Sequence, residues 1–342
     1  MRAGYIEKPM AAVFRDNIPE PQITQADQVK IKVVVSGICG SEVHAYHGRH
    51  KWRVPPLVSG HEFAGVIVEL GAAVTRYRIG DRVTAEPQYG CGHCALCRAG
   101  HYNLCPEKKI LGASYWSGSF GEYIVVPERC VIPLSESVTF EEGALIEPLA
   151  VGMHSVRRHK VGESTSIAVI GCGTIGLGII LSAKALRARQ IIAIDVMDFN
   201  LEKAESMGAD LTLNSLRDDV LSEVMTRTDG RGVDITFLAF GSAGCVKQAA
   251  EITAPGGTVS DIAVMDNGIP APLNDIQVKE LNICGSNMYT SDDFHTVMRG
   301  IGAGDIRLDG FVTHRFPIED IHEAMEYADK HPQPVIKILL SF

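Results

Sequence analysis

The sequence predicts an α/β protein of two domains: a β-rich, barrel-like domain, and a doubly wound domain built on a parallel sheet. Three observations carry this. At 342 residues the chain is long for a single core, so two domains are expected. Up to about residue 150, short strand patterns follow one another between glycine-containing turns. From there to about residue 285, apolar strands alternate with helical segments, the mark of βαβ units.

Taken in order, QVKIKVVVSGIC alternates into a valine run and reads as strand. FAGVIVELG, DRVTAEP, FGEYIVVP and CVIPL continue as short strands, giving a twisted, barrel-like unit with few helices. SIAVIG then reads as a buried strand and IGLGIILSAKALRA as a helix. QIIAID (strand), NLEKAESMGA (helix), VDITFLAFG (strand), CVKQAAEIT (helix) and GGTVSDIAV (strand) extend the alternation. Asp261 is an oddity there, a carboxylate in a strand expected to be apolar on both faces. After about residue 285, SDDFHTVMRGIGAG and IHEAMEYADK read as helices, THRFPIED as a loop and PVIKILLSF as a final strand. A terminal strand this apolar needs a partner and is expected to return to the first domain. The expected division is 1–150 with 286–342, and 151–285.

Composition excludes several classes. Net charge is −9 with no basic block, which argues against nucleic acid. No apolar run has the length of a membrane span, and the N-terminus carries no apolar signal region. A soluble, cytoplasmic protein is expected, with its nine cysteines kept reduced.

Cys91, Cys94, Cys97 and Cys105 stand in the pattern C-x2-C-x2-C-x7-C within a lobe at about 88–108. That spacing suits a four-thiolate zinc site, closed to substrate and therefore structural. Two disulfides or buried free thiols are the alternative. Cys130, Cys172, Cys245 and Cys284 have no ligand spacing and read as small buried hydrophobes.

Gly171, Gly173 and Gly176 form G-x-G-x-x-G directly after a strand and at the start of a helix. This is a dinucleotide fingerprint, with Thr174 and Ile175 completing the turn and the helix dipole facing the pyrophosphate. Asp195 ends the next strand, where a carboxylate accepts from the ribose hydroxyls. No Lys or Arg follows immediately, which favours NAD over NADP.

A second constellation lies outside the cysteine lobe: Cys39 after a strand, His61 and Glu62 in SGHEFAG, and Glu147 in IEPLAVGMH. One thiolate, one imidazole and one or two carboxylates suit a catalytic zinc with an open position.

With G-I-C-G-S (37–41), G-H-E-F-A-G-V-I-V (60–68), G-D-R-V (80–83), the cysteine lobe, I-E-P-L-A-V-G-M-H (146–154), the glycine motif and T-H-R-F-P (313–317) in order, the chain resembles the zinc-dependent medium-chain alcohol dehydrogenases. Glu62 after His61, V-T-A-E-P (83–87) and E-P-L-A-V-G (147–152) are most similar to the polyol branch: sorbitol, galactitol-phosphate, butanediol, threonine and hexonate dehydrogenases. The resemblance implies a GroES-like catalytic domain plus a Rossmann domain, two zinc ions per subunit, NAD, a small-molecule alcohol substrate, and a homodimer or homotetramer. It implies Cys39, His61 and Glu62 as catalytic zinc ligands, with Glu147 either a fourth ligand or a partner of the zinc-bound water. Ser41 would take the substrate proton and His44 would pass it on. Tyr46, Phe120 and Tyr289 would wall the pocket.

Two departures concern substrate. Animal sorbitol dehydrogenases carry an arginine where Met288 stands beside Asn287, and they lack the four-cysteine lobe. The expected reaction is hydride transfer between NAD and a secondary alcohol of a polyol, sugar acid or vicinal diol. Alternatives are a threonine-type amino alcohol and a non-catalytic zinc and NAD sensor.

Overall fold

Strand Gln28–Ile38 organises the first of two units in the computed structural model, which describes residues 1–265, 268–330 and 333–342. Val29, Ile31 and Val33 of this strand are buried while Lys32 is exposed, because alternate residues share one face and that face packs on the core. It pairs antiparallel with Glu62–Leu70, with Tyr123–Pro127 over its first half, and with Ile338–Ser341 over its second. Arg82–Ala85 and Val131–Pro133 extend the sheet.

The C-terminal strand thus returns to the first unit, with Ile338 opposite Ile38. Beyond it lies His314–Pro317, paired in parallel. This segment was expected to be a loop. Its residues alternate between half-buried and exposed, so its strand identity comes from the neighbour that supplies its backbone partners rather than from its own pattern. The hairpin Ala3–Lys8/Ala11–Arg15 also gave no clear sequence signal. It packs with Ile318, Ile321 and Met325.

The second unit holds a six-stranded parallel sheet in the order 211–214, 190–195, 166–170, 233–238, 253–261, 282–285. In chain order this is 3-2-1-4-5-6, the doubly wound arrangement. Its central strands Ser166–Ile170 and Gln190–Asp195 are almost wholly buried, as expected where helices cover both faces. Asp261 is the last residue of its strand rather than an internal one. Burial pushes its carboxyl up, against one amide bond from Ala263.

The compact units are 1–147 with 308–342, and 148–307. Residues 286–307 therefore fold with the parallel sheet and not with the β-rich unit, as a boundary at 286 would have had it. The reason is local. Helix Ser291–Ala303 offers the buried Asp293, which accepts from His154 Nδ1 at 2.7 Å and from Arg157 at 2.6 Å. Among the described residues, no helix is long and apolar enough to cross a membrane.

Candidate active site

Cys39 follows strand Gln28–Ile38 and caps helix Gly40–Tyr46. Glu42, at the third position of that helix, reaches back to accept from the Cys39 amide at 3.1 Å, closing a capping box. Glu62 opens the neighbouring strand and His61 immediately precedes it. Cys39 Sγ, a His61 ring nitrogen and a Glu62 oxygen all lie within 4.8 Å of one another. A thiolate, an imidazole and a carboxylate at this mutual distance are a zinc donor set.

Behind it stands a buried network. Glu42 is fully buried. Its Oε1 accepts from His61 Nδ1 at 2.9 Å and from Ser59 Oγ at 3.1 Å, and faces Arg53 Nε at 3.3 Å. Burial alone would raise the Glu42 carboxyl, but the His61 and Arg53 charges outweigh it and hold the pKa at about 2. Because Glu42 takes Nδ1, His61 is left to present Nε2 to a metal.

Glu62 has a second partner. The buried Lys337 donates to both carboxylate oxygens, at 2.9 and 2.8 Å, and to Ile38 O at 3.0 Å. The carboxylate is therefore held between the donor trio and a cation. Glu147 is buried, but it is not part of the mutually close trio. It lies near enough for its charge, with those of Glu62 and Cys39, to help raise the Lys337 pKa against the effect of burial.

Ser41 and His44 sit three residues apart on helix Gly40–Tyr46, hence on one face. Ser41 Oγ is buried with no hydrogen-bond partner among the described residues, and His44 is exposed. An orphaned buried hydroxyl beside a donor trio is suited to a ligand's polar group. Tyr46 and Phe120, expected as pocket walls, are instead packed in the apolar core with Ile6 and Met325. Tyr289 is likewise fully buried, against Phe294.

The cysteine lobe is a separate centre. Cys91 and Cys97 have their sulfurs 3.9 Å apart, and so do Cys94 and Cys105. Disulfide sulfurs would be about 2.05 Å apart. A tetrahedron with zinc–sulfur bonds of about 2.3 Å has edges of about 3.8 Å. The lobe thus has the dimensions of a four-thiolate site, and all nine cysteines are free thiols. Amides of Cys91, Cys94 and Cys97 each donate to a sulfur of the lobe at 3.4 Å. Amide bonds led by that of His93 draw Cys91 down to about 6.

In the parallel-sheet unit, a cavity of about 570 Å³ opens at the carboxyl ends of the central strands. This is where the strand order reverses and where dinucleotides bind. Gly171 has φ +91°, and a Cβ on Gly176 would lie 1.8 Å from Gly171 O, so neither position admits a side chain. Gly173 caps helix Thr174–Ala185, and nothing lies within 4 Å of where its Cβ would be. Thr174 and Ile175 begin that helix. Asp195 accepts from the amides of Cys172, Val196 and Met197 at 2.6–2.9 Å and from Asn200 at 3.2 Å. The carboxylate is thereby fixed at the cavity wall. Among the described residues, no lysine or arginine lines the cavity, which leaves a 2′-phosphate without a counter-charge from them.

Sequence reasoning did not single out Glu42, Arg53 or Lys337. Glu42 could have been found from the capping-box spacing Cys39-x-x-Glu42. Lys337 could have been found as the lone charge in an otherwise apolar terminal strand.

Residues 25–136 match the alcohol dehydrogenase GroES-like domain and residues 174–302 the zinc-binding dehydrogenase family. Sorbitol dehydrogenase of Bacillus subtilis is 35% identical over 95% of this chain and 93% of its own length. L-threonine 3-dehydrogenase of Caldanaerobacter subterraneus is 37% identical over 88% of each. The crystal structure of 2R,3R-butanediol dehydrogenase from Bacillus subtilis superposes with a TM-score of 0.91 at 33% identity, covering 100% of this chain and 99% of that one. With these motifs, this donor trio and this strand order, the chain belongs to the zinc-binding medium-chain alcohol dehydrogenases, in their polyol dehydrogenase branch.

Proposed function

We propose that this protein is a zinc-dependent dehydrogenase that moves a hydride between NAD and a secondary alcohol of a polyol, sugar acid or vicinal diol. The observation that carries the reading is the Cys39–His61–Glu62 donor trio, with Glu42 buried behind His61, in a chain that also holds a glycine-motif dinucleotide cavity. When bound, the metal supplies Lewis acidity and the dinucleotide takes up the hydride. Cys39 and His61 are assigned as zinc ligands. Glu62 is a third ligand shared with Lys337, and Glu147 is an alternative ligand or a partner of bound water. Ser41 Oγ receives the substrate hydroxyl proton, and His44 hands it to solvent. Asp195 accepts from the ribose hydroxyls, while Gly171, Gly173, Thr174, Ile175 and Gly176 cradle the pyrophosphate. Cys91, Cys94, Cys97 and Cys105 hold a second, structural zinc.

The similarity to a threonine dehydrogenase supports a second reading, oxidation of an amino alcohol. A substrate panel of polyols, sugar acids, 2,3-butanediol and threonine, read by NAD reduction with a chelator control, separates the two. Chelator-sensitive turnover on diols or polyols supports the first reading, and turnover on threonine alone supports the second. Silence across the panel with both zincs bound contradicts both.

Reduced thiols support a cytoplasmic setting. We place a homodimer or homotetramer contact at the sheet edge 282–285, where Ile283 is 48% exposed, since an open apolar edge strand invites pairing.

A further inference from the structure

Between Glu42 and Glu62 the chain carries Arg49, Lys51 and Arg53 and the imidazoles of His44, His47, His50 and His61, with no Asp or Glu. The whole protein has a net charge of −9, so this stretch runs against the rest of the molecule. It is also built into the candidate site. The buried Arg53 guanidinium lies 3.1 Å from His61 Nδ1 and 3.1 Å from His50 Nε2. The other nitrogen of His50 accepts from the amides of Trp52 and Arg53 at 3.1 and 3.0 Å. Ser114 brackets the loop, taking the Val54 amide at 3.0 Å and donating to Trp52 O at 3.1 Å.

The outer end of this chain of contacts has no counter-charge. Lys51 lies over the Trp52 ring at 5.6 Å, and Trp52 is 44% exposed. The Arg49 amide donates to His44 O at 2.9 Å, which places Arg49 at the end of the helix that carries Ser41 and His44. Arg49 and Lys51 are both exposed, and among the described residues neither makes an ion pair. Two exposed cations two residues apart in one loop, with no carboxylate paired to either among the described residues, make a positive local field that favours an anion. An exposed tryptophan beside them offers a face for the carbon-bound hydrogens of a sugar chain.

We propose that the loop 47–54 is an anion subsite, and that the physiological substrate is a hydroxylated carbon chain bearing a carboxylate or phosphate group bound by Arg49 and Lys51 beside Trp52. This rests on the dehydrogenase reading above and narrows it, since a neutral polyol or diol brings hydroxyl acceptors but no charge to neutralise these cations. Arg53 supports the loop from within.

The test uses the zinc-loaded protein with NAD and three probes: sorbitol, gluconate and sorbitol 6-phosphate. At low salt, kcat/KM for at least one anionic probe should exceed that for sorbitol by about tenfold or more, the size of one to two hydrogen bonds to charged groups. The preference should shrink as ionic strength rises. In the double variant Arg49→Gln/Lys51→Gln the ratio of anionic to neutral should collapse toward one, with the fold checked by thermal melting. Whichever anion gives the larger ratio identifies the group. Equal turnover of sorbitol and the anions, or a ratio intact in the double variant, overturns the subsite and leaves the dehydrogenase standing. If no probe is oxidised with zinc and NAD bound, the dehydrogenase reading fails, and calorimetry with gluconate and inorganic phosphate decides the subsite separately. Binding that the double variant abolishes sustains it, and absent or unchanged binding overturns it.

Discussion

Glu42 fixes which nitrogen His61 offers, and Lys337 limits how freely Glu62 can move. Both act on proposed ligands that they do not replace. Cys39→Ser should abolish turnover while leaving the fold and the cysteine-lobe zinc in place, and retained activity would remove Cys39 from the catalytic assignment. Glu42→Gln keeps the size of the side chain but loses its charge. We expect zinc at the trio to bind about 10–100-fold more weakly, measured by competition with a graded chelator, while the lobe keeps its metal. Lys337→Met leaves Glu62 buried without its cation, at a cost of about 3 kcal/mol in the metal-free protein. Zinc should restore part of that loss, so the rise in Tm on adding zinc should be larger in the variant than in the wild type. An equal rise would mean that Lys337 and the metal do not share the carboxylate.

Among the elements, helix Ser291–Ala303 is tied to its unit through Asp293, whose carboxyl is held below the ordinary carboxylate range by the His154 and Thr290 bonds, against its burial. A carboxyl depressed in the folded state contributes stability above its unfolded pKa, about 3.9, and loses it as pH falls through the folded value. Asp293→Asn should lower Tm at neutral pH and flatten its decline on acidification, and a variant with the wild-type acid limb would deny the tie. Cys94→Ser should release the lobe zinc and lower Tm more than it lowers the turnover of the surviving folded protein. Strands such as Gln28–Ile38 and Ser166–Ile170 were legible because burial imposes a period or an apolar run on the sequence itself. His314–Pro317 was not, because its identity comes from the strand beside it. The unit boundary at 307 was hidden for the same reason: it depends on which partner Asp293 finds.

The molecule as a whole brings residues together that no local pattern could pair. Lys337 reaches Ile38 O across 299 positions of sequence, and only the return of the terminal strand makes that contact. The cysteine lobe, the glycine motif and the Cys39–His61–Glu62 trio were readable because ligand chemistry fixes residue type and spacing. Their supporting residues were not, because packing chooses them. At the dinucleotide end, the cavity offers Asp195 and, among the described residues, no lysine or arginine, so Asp195→Ala should erode the preference for NAD over NADP. Unchanged discrimination would mean that another residue reads the ribose. The most direct measurement of the central claim is chelator-reversible NAD reduction by protein whose zinc content is counted. We expect two zincs per chain and turnover on a hydroxylated substrate that is lost when the more labile zinc is removed and regained when it is returned. Full turnover after the trio has been emptied of metal would contradict it.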